Sequence, residues 1–500
     1  MKRYTQYLIS ALLLGLFAGC SSPEEGKDKP ATPASGEAAA ADITFFSGAR
    51  LIPGDGSAPI EDSTMIVENG KIAQIGKVNE LKAPKGAGRV DLAGRTIMPV
   101  LVNLHGHIGL NTGASFSPKN YKRESVQADL NRYEYYGVYA LATLGTDAGD
   151  IAFQVRDEQR QGKTPGAMLF TAGRGITAKG GFPALADVLG DIPIQVSTEA
   201  EARKAVGELA DKKVDFIKIW VDDMGGKTPK LRPELSRAII DEGHKRNIRT
   251  VAHIVTLADA KDLVNAGVDG LVHSIRDREV DDALISMMKQ KNVFFTPTLT
   301  GHEAKFVYAD KPSWLGEQTM REVYPAQLSA YLANDVTVNR FKRNPDLALL
   351  RQQYSVAAKN LKKMSDAGVK IALGTDSGGE NSYPGYFEHR EMELMAAAGM
   401  SPMDVIKAAT SVSASILGLN DIGVLAPGKS AEFLVLSANP LAKMSDSKEI
   451  ANIYRHGAEL DRLALIQGLA VDTPKITQKD RAEDAAAQVR EAQAAAEAKL

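Results

Sequence analysis

The chain has 500 residues, 44% of them hydrophobic and 24% charged, with a formal net charge of -2. That length accommodates one large and one small domain, and the near-neutral balance gives no reason to expect nucleic acid as a partner. A single cysteine excludes an internal disulfide.

Residues 1–20 read as a signal peptide. Lys2 and Arg3 precede an apolar run from Leu8 to Ala18 and the small residues Gly19-Cys20-Ser21. The run is too short to span a bilayer. Phe17-Ala18-Gly19-Cys20 resembles the lipobox of bacterial lipoproteins, although Phe17 stands where leucine is usual. The resemblance implies a lipid on Cys20 and, with Ser21 rather than Asp next, anchoring at the outer membrane facing the periplasm; simple secretion is the alternative. Residues 21–42, rich in Pro, Ala, Glu, Lys, Gly and Ser, read as a flexible tether.

Residues 43–98 carry strand and turn signals. Ile43 to Phe46, Ser63 to Val67 and Lys71 to Ile75 are short apolar runs, and Glu68-Asn69-Gly70 is hairpin chemistry. A matching stretch returns at Ala431 to Leu436, so 43–98 and 420–460 are expected to build a small β-sandwich from both chain ends. Between them, β-like runs centre on 96–104, 138–144, 167–172, 214–220, 249–254, 268–273, 293–299 and 369–374, separated by amphipathic stretches such as Pro233 to Arg246. Gly137, Gly267 and Gly368 precede valine at helix-to-strand junctions, as left-handed helix ends do. Eight such units predict an α/β fold, a (β/α)8 TIM barrel over 99–419. Residues 461–500 are expected to be a helical or disordered tail.

Catalytic groups in such barrels stand where strands end. His105 and His107 close the first run two residues apart, on one face of a strand. His253 closes the fifth, His273 the sixth, and Asp376 follows the eighth. Lys218 lies on the fourth, sharing a face with Phe216 and Trp220, where an unpaired ammonium is costly. Reaction with CO2 would turn its amine into an anionic carbamate (N6-carboxylysine) able to bridge two cations. These six residues suit two divalent metals: zinc first, with Mn, Co, Ni or Fe possible. The alternative is one metal, with Lys218 in an ion pair or on substrate.

The pieces Met98 to His107, Asp215 to Ile219, Val251 to His253, His273-Ser274 and Leu373 to Asp376 resemble the amidohydrolase superfamily, in its imidazolonepropionase-like and Xaa-Pro dipeptidase (prolidase-like) group, over about residues 43–460. Val100 replaces a usual Gly, and Asn103 a usual Asp. The resemblance implies hydrolysis of an amide-type C–N bond, with dipeptides or N-acyl amino acids favoured. A metal-bridging hydroxide would attack the carbonyl, with Asp376 as general base and then general acid. A cyclic amide, carbamate, urea or ester substrate is the alternative within enzymes; a non-catalytic metal- or ligand-binding lipoprotein is the alternative outside them. Tyr121 and Arg123 after the first run, Arg276 after the sixth and His302 after the seventh are candidate substrate contacts. Arg276 would clamp a carboxylate, or pair with Asp277 or Glu279 within its loop. A homo-oligomer is compatible with all of this.

Overall fold

The computed structural model describes residues 42–113, 115–469, 471 and 475–497. The signal peptide, Cys20 and the tether up to Ala41 lie outside the described residues. Strands from both ends of the chain share one sheet. Its order is Ala458–Glu459, Ile450–Arg455, Phe433–Leu436, Thr96–Pro99, Ile43–Leu51, Ile60–Glu68 and Lys71–Lys77, with Gly88–Asp91 also paired to Ile43–Leu51. The expected small β-domain is therefore one eight-stranded hydrogen-bonded sheet, seven strands on one path and Gly88–Asp91 branching from Ile43–Leu51. Asn69 (φ 50°) and Gly70 (φ 78°) turn the hairpin between Ile60–Glu68 and Lys71–Lys77, because both positions of that turn need positive φ. Phe46, Phe433 and Tyr454 fill the sheet's core, the last two stacked 4.7 Å apart.

The expected first run, 96–104, is two strands. Thr96–Pro99 runs antiparallel to Phe433–Leu436, whereas Leu101–Gly106 runs parallel to Val138–Thr143. Pro99 has no N–H to extend a ladder, and at Val100 the chain crosses from one sheet to the other. The barrel strands are β1 (Leu101–Gly106), β2 (Val138–Thr143), β3 (Met168–Thr171), β4 (Ile217–Trp220), β5 (Thr250–His253), β6 (Gly270–Val272), β7 (Phe294–Thr296) and β8 (Lys370–Ile371), with parallel ladders running through β1–β3 and through β4–β8. Backbone bonds cross the two seams. Asp215 N donates to Thr171 O (2.8 Å) between β3 and β4, and beyond β8 Thr375 N donates to His105 O and Leu104 N to Leu373 O (2.9 Å each). Apolar side chains buried on every strand fill the interior.

Gly137, Gly267 and Gly368 all have positive φ, between 75° and 93°, and each hands a helix to a strand. The chain between β7 and β8 makes a helical excursion that ends in the long helix Leu347–Asp366. It packs a second core of Tyr308, Trp314 and Tyr324 against Tyr383, Tyr386 and Phe387. The tail holds a helix, Gln478–Glu497, that is not wholly exposed: Arg343 pairs with Asp484 and Glu491, both at 2.6 Å. No helix among the described residues is long and apolar enough to cross a membrane.

Candidate metal centre

The C-terminal ends of β1, β4, β5, β6 and β8 bring six side chains together. His105 and His107, on one face of β1, stand edge to face with ring centroids 5.2 Å apart. Their Nε2 atoms meet the same oxygen, Asp376 Oδ1, at 2.9 and 2.8 Å. The ligand atoms of these three residues lie within 4.8 Å of one another, a group that can hold a metal ion. His273 joins His105 at 4.8 Å between centroids, and His253 joins His273 at 4.4 Å.

Each of three histidines is oriented from behind by its other nitrogen. Thr146 Oγ1 lies 2.7 Å from His107 Nδ1, and Thr298 Oγ1 lies 2.8 Å from His273 Nδ1, leaving both Nε2 atoms facing inward. Asp222 Oδ2 lies 3.1 Å from His253 Nε2, leaving Nδ1. Such partners fix tautomer and ring orientation at metal sites. Nothing in the sequence marks Thr146, Asp222 or Thr298; only their place two or three residues beyond a strand end hints at them.

Burial pushes His105 down to about 3 and His253 to about 4, and holds His273 well below the ordinary imidazole value. All three are neutral at neutral pH, the form a metal requires. Lys218 is fully buried and its Nζ has no hydrogen-bond partner. Burial lowers its ammonium to about 7. Room for it comes from Gly145 (φ 92°), where a Cβ would stand 2.6 Å from the Trp220 ring and 2.9 Å from Lys218 Cγ. An orphaned amine beside neutral histidines fits a metal-binding carbamate better than it fits an apolar core. His273, Thr298 and Asp376, with φ of 74°, 48° and 63°, are left-handed without being glycine. Backbone strain of this kind persists where surrounding structure over-determines it and gathers at functional sites.

The candidate substrate contacts divide. Tyr121 is buried and its hydroxyl donates to Asp147 (3.0 Å), so that group is engaged in the barrel wall. Arg123 pairs with Glu158. His302 lies in the short helix Leu299–Glu303 after β7, its ring 6.1 Å from His273. Arg276 donates to the carbonyls of Ile254 and Ser274; the alternative ion pair with Asp277 or Glu279 is not formed. Phe182, in the loop after Ile176–Ala178, covers His253 at 5.6 Å.

Uncharacterized proteins of Mycobacterium tuberculosis and Mycobacterium bovis are 22% identical over 214 residues, 42% of this chain and 52% of theirs, so the match spans about half the length of those curated relatives. An imidazolonepropionase of Salinispora tropica is 22% identical over 441 residues, covering 82% of this chain and 92% of the relative. Among solved structures, a candidate prolidase from Bifidobacterium longum is 25% identical with a TM-score of 0.66, covering 88% of this chain and 98% of that one. The model of the amidohydrolase family matches residues 96–460, from the strand entering the barrel to the last strands of the small sheet. The chain belongs to the amidohydrolase family.

Proposed function

We propose that the protein is a binuclear metal-dependent hydrolase of amide-type C–N bonds, acting on dipeptides or N-acyl amino acids. The observation that carries the two-metal reading is Lys218: a fully buried amine with no hydrogen-bond partner, whose charge acts on His105, His253 and His273. Its amine would add CO2 and release a proton to become a carbamate. His105, His107 and Asp376 would hold one cation, His253 and His273 the other, with the Lys218 carbamate between them. Zinc suits nitrogen and oxygen donors without thiolate. Bound there, the metals supply a water acidic enough to ionise near neutral pH and positive charge to polarise a carbonyl.

The chain's own residues do the rest. His107 and His273 keep Nδ1–H toward Thr146 and Thr298 and His253 keeps Nε2–H toward Asp222, so each presents a lone pair inward. Asp376 spends Oδ1 on His105 and His107, while among the described residues nothing donates to Oδ2. Oδ2 would accept a proton from the attacking water and return it to the leaving nitrogen. In sum, amide and water give a carboxylate and a protonated amine. Phe182 and the buried strand ends limit access of bulk water. The likeness to a candidate prolidase supports the dipeptide reading; the likeness to an imidazolonepropionase keeps a ring amide as the second reading.

Purified protein is expected to contain about two metals per chain. Lys218→Ala should cut that content, and one metal unchanged by the substitution refutes the carbamate. Asp376→Asn should retain metal while turnover of a dipeptide and N-acyl amino acid panel falls about 100-fold or more. An active Asp376→Asn enzyme would show that another group moves the proton.

A further inference from the structure

The hydrolase reading, on which this inference rests, favours dipeptides or N-acyl amino acids without saying which residues would recognise the carboxylate beside the scissile bond. Arg276 stands three residues past His273. Its Nη1 donates to the carbonyls of Ile254 (3.2 Å) and Ser274 (3.3 Å), which fixes the guanidinium plane. Among the described residues no carboxylate comes within ion-pair distance of it. Asp277, next in sequence, accepts instead from Arg278 (2.8 Å) and from the backbone of Leu257 (2.9 Å). Asp222 and Asp376 are near enough to act on its charge, but both hydrogen-bond to histidines, Asp222 to His253 and Asp376 to His105 and His107, and neither pairs with it.

A second cation stands close by. Lys305, one turn beyond His302, makes no ion pair among the described residues, and its charge and that of Arg276 act on each other and both on His302. The side chain of His302 is buried, 8% exposed, and its Nε2 has no partner. Two cations that make no ion pair and an unpaired buried imidazole nitrogen share one corner beside the candidate metal ligands. Like charges held together repel, and a buried polar atom left unpaired is costly. One carboxylate relieves both, because a guanidinium fork receives two oxygens at once.

We propose that Arg276, His302 and Lys305 form a carboxylate subsite that commits this enzyme to amides bearing a free carboxylate beside the scissile bond, over neutral amides, ureas and carbamates. Arg276 supplies the rigid fork, His302 Nε2–H a directional donor, and Lys305 a mobile charge that draws the anion in.

The test is acetate release by zinc-loaded protein from N-acetyl amino acids and from the matching carboxamides, which differ only in the free carboxylate. The acids should be favoured in kcat/KM. Arg276→Met and Lys305→Met should each shrink the acid-to-carboxamide ratio by about 10- to 100-fold, the worth of a charge-assisted hydrogen bond. Arg278→Met, whose partner is the exposed Asp277, should leave the ratio alone. Lys305 is exposed, so its variant tests the subsite even where Arg276→Met folds poorly. Carboxamides cleaved as well as acids, or a ratio that neither variant moves, overturns the subsite. If neither series is cleaved, calorimetry with the same compounds separates the two readings. Acids bound by wild type and lost in the variants uphold the subsite while the hydrolase reading fails; acids not bound at all sink the subsite.

Discussion

Sealing an ammonium inside a protein costs several kcal/mol, and Lys218 is such a group in the metal-free chain, its burial outweighing the attraction of Asp376. Its pKa is about 7 when folded, against 10.5 for the unperturbed side chain. The unfolded state therefore holds the proton more tightly. Metal-free protein should gain stability as pH rises from about 7 to about 10.5, by about 1.4 kcal/mol per pH unit from this residue. Lys218→Met removes that slope. In melts of chelator-treated protein the variant should exceed wild type near pH 7 and converge with it near pH 10. An equal slope in both would show that Lys218 is not the titrating group. Asn103 illustrates a different residue-scale effect. Its Oδ1 accepts from His105 N (2.9 Å) while its Nδ2 donates to Glu388 Oε1 (2.7 Å) and to Thr375 (2.9 Å). An aspartate there would face a second buried carboxylate. The departure from the family pattern fits Glu388, 285 residues away in sequence, already placing a buried carboxyl against this position.

At the scale of elements, the barrel strands are short and largely buried, and the six candidate ligands lie within or just beyond the C-terminal ends of β1, β4, β5, β6 and β8. Local signals made these strands readable: apolar runs, and glycine at the preceding helix ends. The break at Pro99-Val100 is harder to see, because Thr96 to Leu104 is mostly apolar and periodicity cannot tell one buried strand from two. The excursion between β7 and β8 left no clear periodic mark; its aromatic core forms only where Trp314 and Tyr308 meet Tyr386 and Phe387 from beyond β8. The tail helix Gln478–Glu497 has few large apolar residues, and its anchor is Arg343, which reaches Asp484 and Glu491. Arg343→Ala should therefore raise amide hydrogen exchange across 478–497 and leave the barrel strands as protected as before. Unchanged protection in the tail would mean that its packing, not this ion pair, holds it.

For the whole molecule, the eight-stranded sheet ties residues before the barrel to residues after it, so the segments 43–99 and 433–459 fold together around Phe46, Phe433 and Tyr454. We propose that this body is tethered to the outer membrane by lipid on Cys20, facing the periplasm; Cys20→Ala should move the protein from the membrane fraction to the soluble one, and a variant still in membranes would refute it. His105, His107, Lys218, His253, His273 and Asp376 could be grouped from the chain alone because strand alternation and strand-end position are local, steric properties. Thr146, Asp222 and Thr298 could not, since a threonine or aspartate in a loop acquires a role only when a ring from another segment arrives at hydrogen-bond distance. The same holds for Arg276: its spacing allowed either a loop ion pair or a ligand clamp. Only folding, which turns Asp277 toward Arg278 and seats the guanidinium on two carbonyls, leaves its charge directed at the site.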